Sequence, residues 1–130
     1  MSVGLLVITH DQIGRALFDT ATAMIGSSPL PARTLAVSLN SVPEQITEEA
    51  RELVEELNHG SGVLILTDMF GSTPSNIAAS LLNHPQLMVV TGINLPMLVR
   101  VLNYPHLELA ELAQKATSGG HDGIVWSSSR

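Results

Sequence analysis

The sequence predicts an α/β protein, in which a mostly parallel sheet lies in a three-layer sandwich between helices. Two observations support this fold class. Short apolar runs rich in β-branched residues alternate with longer segments whose apolar residues recur at helical spacing. The runs also end in polar or glycine residues, as buried parallel strands do before a crossover helix. With 130 residues the chain has room for one core, and we expect a single domain over residues 1–130.

Strand and helix patterns alternate through the first half of the chain. The predicted elements are residues 3–8, 13–25, 34–39 and 43–57. Gly26 supplies a stop for the first helix. Ser41 and Glu44 have the spacing of a capping box, and Pro43 suits the first turn of the acidic amphipathic helix that follows. This half is therefore predicted to be βαβα.

The second half repeats this alternation and adds one helix. Strands are predicted over residues 63–66 and 87–90, and helices begin at Thr73 and Asn94, which we expect to be N-caps. The last helix leads into residues 119–123, where three glycines are expected to form a hinge. A short edge strand over residues 123–127 completes a βαβαβαβααβ pattern with right-handed crossovers.

Composition excludes several classes of function. The formal charge is −6 and the few basic residues form no cluster, which argues against nucleic acid or an anionic membrane as a partner. The absence of cysteine excludes disulfides and thiolate nucleophiles. No apolar run reaches 18 residues, so we expect a cytoplasmic protein without membrane insertion. Asp11 and Asp68 have no third ligand at a recognisable spacing, and neither a metal nor a cofactor is predicted.

Two strands end in the same way, one in Thr9-His10 and the other in Thr67-Asp68. If these strands are neighbours, as in a flavodoxin-like order, the two ends meet where ligands bind in open α/β sheets. A carboxylate beside an imidazole accepts one ring N–H and leaves the other nitrogen unprotonated and nucleophilic. The pattern favours an activated histidine.

A glycine-bearing loop, FGSTP, follows Asp68 and enters a helix. Amide groups at a helix N-terminus favour an anion such as a phosphoryl group. Together with the activated histidine, this loop indicates a phosphohistidine site. Each feature alone has an ordinary explanation: a hydrogen-bonded surface histidine, an aspartate that caps a helix, or a capped helix start. The other histidines are interpreted as solvated turn residues: His59, His84, His106 and His121.

Several segments resemble the mannose-family enzyme IIA domain of the bacterial phosphoenolpyruvate-dependent sugar phosphotransferase system (PTS). They are Thr9-His10 with Gly14 and Ala16, LILTDMFGSTPSN, VVTGINLPML and the closing Gly123-Ile124. The TDMFGSTPSN and TGINLPML segments are the most specific. The similarity extends over nearly the whole chain.

The resemblance implies a phosphoryl carrier. His10 would accept a phosphoryl group from the phosphocarrier protein HPr and pass it to a IIB component for sugar uptake. Asp68 would be its hydrogen-bonded partner, and the phosphoryl group would lie among Thr67, Gly71 and Ser72. The implied strand order is 2-1-3-4, with the last strand exchanged across a homodimer.

Two positions depart from the family pattern. Asp11 stands where a small residue, commonly glycine, is usual, and its charge would disfavour a second anion. Ser75 stands where phenylalanine is frequent, in the region of the docking surface. Met69 and Phe70 are large apolar loop residues, for which partner contact and core packing are both open.

Alternatives to the transport carrier follow from the same residues. We expect a IIA domain without an attached IIB domain, and a free-standing regulatory module, whose phosphorylation state controls binding to another protein, is a second hypothesis. A receiver-like domain phosphorylated on Asp68 would need a lysine on a late strand, and the one lysine, Lys115, falls on a predicted helix. The dihydroxyacetone kinase phosphotransfer subunit shares the fold, but its loop resembles TDMFGSTPSN less closely.

Overall fold

The computed structural model describes residues 2–129 and contains four strands and five helices. The elements, in chain order, are β1 Gly4–His10, α1 Ile13–Ile25, β2 Ala32–Val37, α2 Pro43–Leu57, β3 Val63–Thr67, α3 Thr73–Ser80, β4 Leu87–Thr91, α4 Leu95–Leu102 and α5 Leu109–Asp122. The strands form one sheet in the order β2-β1-β3-β4, and all three pairings are parallel. The predicted α/β class and strand order are confirmed.

The strands of the sheet centre are apolar because both of their faces are covered. Residues 4–8 of β1 and all of β3 are buried. Alternate side chains point to opposite faces, so Leu5 and Val7 pack with α1, α4 and α5, whereas Leu6 and Ile8 pack with α2 and α3. One apolar cluster lies on each face of the sheet and joins it to the helices of that side, which gives three layers. This arrangement places the carboxyl ends of β1 and β3 side by side.

The second strand is shifted from its predicted position. It spans Ala32–Val37 instead of residues 34–39, and it pairs with β1 from Leu5↔Ala32 to His10↔Val37. The prediction was wrong because it followed the apolar content of Leu39, whose side chain is fully exposed. Pairing with the length of β1 sets the strand instead.

Two predicted helix caps are wrong and one is confirmed. The N-cap of α2 is Val42, without a side-chain cap bond, and the hydroxyl of Ser41 accepts a hydrogen bond from the Ser38 amide at 2.9 Å. The capping box is replaced by a local serine turn, which uses the same hydroxyl. The α3 helix begins at Thr73 itself, so Ser72 holds the cap position. Asn94 does cap α4, accepting from the Met97 amide at 2.9 Å.

The predicted glycine hinge is also wrong. Gly119 and Gly120 are buried inside α5, where they allow close packing against α4. A Cβ on Gly119 would lie 2.7 Å from the Cβ of Arg100, and one on Gly120 would lie 2.9 Å from the terminal methyl of Met97. These glycines therefore serve helix contact instead of chain reversal.

The predicted final strand does not form within the single chain. Residues 123–129 have no strand pairing and are exposed. Ile124, Val125 and Trp126 expose 77%, 76% and 91% of their surfaces. A strand needs a neighbour to satisfy its backbone groups, and this segment has none within residues 2–129. Exchange of the strand across a dimer stays a prediction.

Candidate phosphohistidine site

The site lies where β1 and β3 end beside each other. Ile8 pairs with Thr67 across the two strands, so His10 and Asp68 emerge at the same edge of the sheet. The Nδ1 of His10 is 2.7 Å from the Oδ2 of Asp68, and the backbone amide of His10 donates to the same oxygen at 2.9 Å. Two bonds to one carboxylate oxygen fix both the backbone and the ring. The predicted pairing of these residues is confirmed as a contact.

The environment of Asp68 keeps its carboxyl group ionised. Its side chain is largely buried, with 13% exposed, and this burial acts to raise its pKa. Hydrogen bonds from the amide and ring of His10, the attraction of that ring when it is protonated, and a bond from the Met69 amide outweigh burial, so the pKa of Asp68 lies below its ordinary value. The Met69 amide donates to Oδ1 at 3.0 Å, so both oxygens are used.

This carboxylate selects the useful form of the imidazole. An ionised carboxylate accepts only, so the ring nitrogen that it contacts, Nδ1, carries the proton. The other nitrogen, Nε2, is then the nucleophilic one. The His10 side chain is 40% exposed, which leaves the ring open to a partner on one side. Such a geometry suits a nucleophile that is oriented by a carboxylate and is accessible to a large reactant.

The loop between β3 and α3 turns sharply at Gly71. Its φ of +86° lies in the left-handed region that favours glycine. The Gly71 amide donates to the buried hydroxyl of Ser75 at 3.3 Å. The Ser72 hydroxyl donates to the Met69 carbonyl at 2.6 Å, and the Ser72 amide donates to it at 3.2 Å. The loop is thus held by its own hydrogen bonds, with Ser75 as a support that sequence reasoning missed.

The three predicted phosphate-binding residues lie in different environments. Gly71 is exposed, Ser72 is half-buried, and Thr67 is fully buried at the end of β3. The Thr67 hydroxyl has no hydrogen-bond partner within the part of the chain that the structure describes. The amides of Thr73 and Ser75 lie in the first turn of α3, where no intrahelical acceptor is available. These two amides extend the group of candidate anion donors.

Thr9 and Gly14 position the histidine from behind. The Gly14 amide donates to the Thr9 hydroxyl at 2.7 Å, and both residues are buried. A Cβ on Gly14 would lie 2.6 Å from Cγ1 of Val7 and 2.9 Å from Oγ1 of Thr9. The start of α1 is therefore seated directly on β1. The threonine before the histidine was a visible signal, but its partner five residues later becomes evident only in the fold.

Large apolar side chains surround the site. Met69 is 61% exposed and Phe70 is 84% exposed, which excludes core packing for Phe70. Ile13, at the start of α1, is 48% exposed. Contact of Met69 and Phe70 with a partner stays a prediction.

Among residues 2–129, no helix is long and apolar enough to cross a lipid bilayer.

The chain matches known proteins over most of its length. Residues 4–117 match the family model EIIA-man, described as "PTS system fructose IIA component". A 71-residue segment is 37% identical to the "PTS system fructose-specific EIIA component" of Bacillus subtilis, covering 53% of this chain and 49% of that protein. The "PTS system mannose-specific EIIAB component" of Escherichia coli is 26% identical over 129 residues, covering 95% of this chain and 39% of that protein.

A regulator and a solved structure extend the comparison. The "Transcriptional regulatory protein LevR" of Bacillus subtilis is 25% identical over 119 residues, covering 88% of this chain and 12% of that protein. The chain thus spans half or less of the curated relatives that it matches. The "Mannose/sorbose specific IIA subunit of phosphotransferase system" from Enterococcus faecalis superposes with a TM-score of 0.86 at 23% identity, covering 100% of this chain and 98% of that one. The match over residues 4–117 shows that the chain belongs to the EIIA-man family of PTS IIA components.

Proposed function

We propose that the protein is a cytoplasmic phosphoryl carrier of the sugar phosphotransferase system. In this proposal Nε2 of His10 accepts a phosphoryl group from HPr and delivers it to a IIB component. The observation that carries it is the 2.7 Å contact between Nδ1 of His10 and the carboxylate of Asp68. Membership in the EIIA-man family supplies the class of donor and acceptor.

The transfer requires one bond to break and one to form. The bond from phosphorus to the donor breaks, and its electron pair returns to the donor. The lone pair of Nε2 forms a new P–N bond, while the Nδ1 proton stays in the bond to Asp68. The positive charge that develops on the ring then faces an ionised carboxylate, which stabilises it. Transfer to the acceptor is the same step in reverse.

The phosphoryl oxygens need donors on the loop side of the ring. We propose that the Ser72 hydroxyl and the first-turn amides of α3 provide them, with Gly71 allowing close approach. The Ser72 hydroxyl would exchange its present acceptor, the Met69 carbonyl, for a phosphoryl oxygen. The Thr67 hydroxyl is fully buried, so its contact with the group would require a rearrangement that exposes it.

Labelling tests this proposal. Incubation with phosphoenolpyruvate, enzyme I and HPr should add one phosphate that is labile in acid and stable in alkali. His10→Ala should remove the label, whereas the matched variant His106→Ala, which changes an exposed histidine in a loop, should retain it. Full labelling of His10→Ala, or an adduct that is stable in acid, would contradict the proposal.

The likeness to a transcriptional regulator favours a second candidate function. LevR contains a segment that aligns with 88% of this chain at 25% identity, so a segment of this kind can be part of a regulatory protein. In that case the phosphorylated protein would bind another protein, and a IIB domain would be a poor acceptor. Mixing the purified phosphoprotein with a mannose-type IIB domain separates the two. Loss of label within seconds supports the carrier, and retention for many minutes supports the regulator.

We further propose that the protein is a homodimer. The apolar tail at residues 124–126 is exposed, and β4 has a free edge beside a groove formed with α5. Met88 on β4 is exposed at this edge, and Ala113 and Thr117 of α5 line the groove. The tail of a second copy would add a strand to the sheet beside β4. The exposed apolar surfaces of the tail and of the groove would then cover each other.

A further inference from the structure

Asp11 is unusual in its backbone and in its surroundings. Its φ of +42° makes it the one residue other than glycine with a positive φ among residues 2–129. Its amide donates to the Val37 carbonyl at 2.9 Å, which extends the β1–β2 ladder by one residue beyond His10. The side chain is exposed and takes part in no hydrogen bond or ion pair within the same residues. Non-glycine residues held in this region cluster at functional sites.

Asp11 forms no ion pair with any lysine or arginine that the structure describes. Every lysine and arginine that the structure describes has another partner: Arg15 with Asp19, Arg33 with Glu56, Arg51 with Glu48, Arg100 with Asp122, and Lys115 with the ring of Tyr104. His10 therefore has two carboxylates in its vicinity: that of Asp68, which holds its ring, and that of Asp11, the next residue in the chain. The start of α1 two residues later favours an anion at position 11 through its dipole.

We propose that Asp11 sets the phosphoryl transfer potential of His10. This inference rests on the proposed phosphorylation of that histidine. Consecutive Cα atoms are ~3.8 Å apart, so the Asp11 carboxylate lies within ~12 Å of Nε2 whatever its rotamer. A phosphoryl group on Nε2 brings about two negative charges into this range, and the positive charge that develops on the ring offsets about one of them. Repulsion between the net negative charge and Asp11 raises the free energy of the phosphorylated form, which makes it a stronger donor to the next protein.

The expected effect is modest and depends on salt. One net charge against another at ~7–12 Å in water, at low ionic strength, corresponds to roughly a 1.5- to twofold change in an equilibrium constant. The Debye length falls from ~30 Å at 0.01 M salt to ~8 Å at 0.15 M, so the effect should shrink markedly over this range. A contribution of Asp11 through backbone strain would show no such dependence.

The experiment measures the equilibrium between phosphorylated HPr and this protein for the wild type, Asp11→Asn and Asp11→Gly. Asparagine keeps the size and the tolerance of positive φ but removes the charge, whereas glycine also removes the strain. We expect both variants to raise the equilibrium constant for phosphorylation by HPr about 1.5- to twofold at 0.01 M salt, and by less than about 1.5-fold at 0.15 M. Glu111→Gln removes an equal exposed charge from the first turn of α5, at the opposite end of the sheet, and should leave the constant unchanged.

Each outcome has a separate meaning. An Asp11→Asn constant equal to that of the wild type at 0.01 M salt overturns the role of Asp11 and leaves the carrier function standing. A change in Asp11→Gly alone, or one that is equal at both salt concentrations, also overturns it, because strain and not charge would then act. A wild type that HPr does not phosphorylate overturns the proposed function, and this inference with it.

Discussion

At the scale of single residues, the site depends on one oxygen atom. The Oδ2 of Asp68 accepts both the backbone amide and the ring of His10, at 2.9 Å and 2.7 Å. Asp68→Ala removes the acceptor that selects the tautomer and orients the ring. We expect phosphoryl transfer to slow by at least tenfold. If the ring depends on Asp68 alone for its orientation, the loss should be on the order of 10²–10⁴-fold. Rapid-quench transfer from phosphorylated HPr measures this, with circular dichroism to confirm that the fold is kept. A loss below tenfold would contradict the assigned role.

The lowered pKa of Asp68 also predicts a dependence of stability on pH. A carboxyl group whose pKa is depressed in the folded state contributes stability that is fully present above its ordinary value, 3.8, and is lost as the pH falls through the folded pKa. We therefore expect the difference in free energy of unfolding between wild type and Asp68→Asn to decrease as the pH falls below about 4. Urea denaturation at a series of pH values measures it. A difference that grows on acidification would contradict the expectation.

At the scale of elements, Asn94 at the start of α4 holds two helices together. Asn94 caps α4 through Oδ1, and its Nδ2 donates to the Gly120 carbonyl at 3.0 Å, which ties α4 to α5. Asn94→Ala removes both bonds, and we expect a loss of stability of about 1–2 kcal/mol. Glu108→Ala is the matched control, since Glu108 is the N-cap of α5 and makes no side-chain cap bond. Chemical denaturation of both variants makes the comparison, and equal losses would contradict the distinction.

At the scale of the whole molecule, the apolar tail at residues 124–126 pairs with no strand within residues 2–129. A chain that ends at Gly123 keeps α5 intact and lacks Ile124, Val125 and Trp126. We expect it to sediment as a monomer and to be less stable than the full chain, because an aromatic anchor and a paired edge are lost together. A control that lacks only residues 128–130 should remain a dimer. Sedimentation velocity at micromolar concentration tests this, and a monomeric full-length protein would refute the exchange.

Local patterns in the sequence were sufficient to predict several strands, one helix cap and the candidate site residues. The continuous apolar runs determined β1 and β3, because strands buried on both faces must be apolar along their length. The motif residues His10 and Asp68 followed from the polar ends of these strands, and Asn94 followed from its own capping chemistry. In these cases the signal lies within the segment that forms the element.

Only the tertiary structure decided the features that depend on a distant partner. β2 takes its limits from pairing with β1, and Gly119 and Gly120 are required by the approach of α4, so neither local apolar content nor local flexibility could indicate them. The 2.7 Å contact between His10 and Asp68 likewise needs two residues 58 positions apart to meet. The sequence by itself determined which groups are the candidates for the proposed chemistry. The fold decided that they touch, because the parallel pairing of β1 and β3 brings their carboxyl ends to one edge of the sheet.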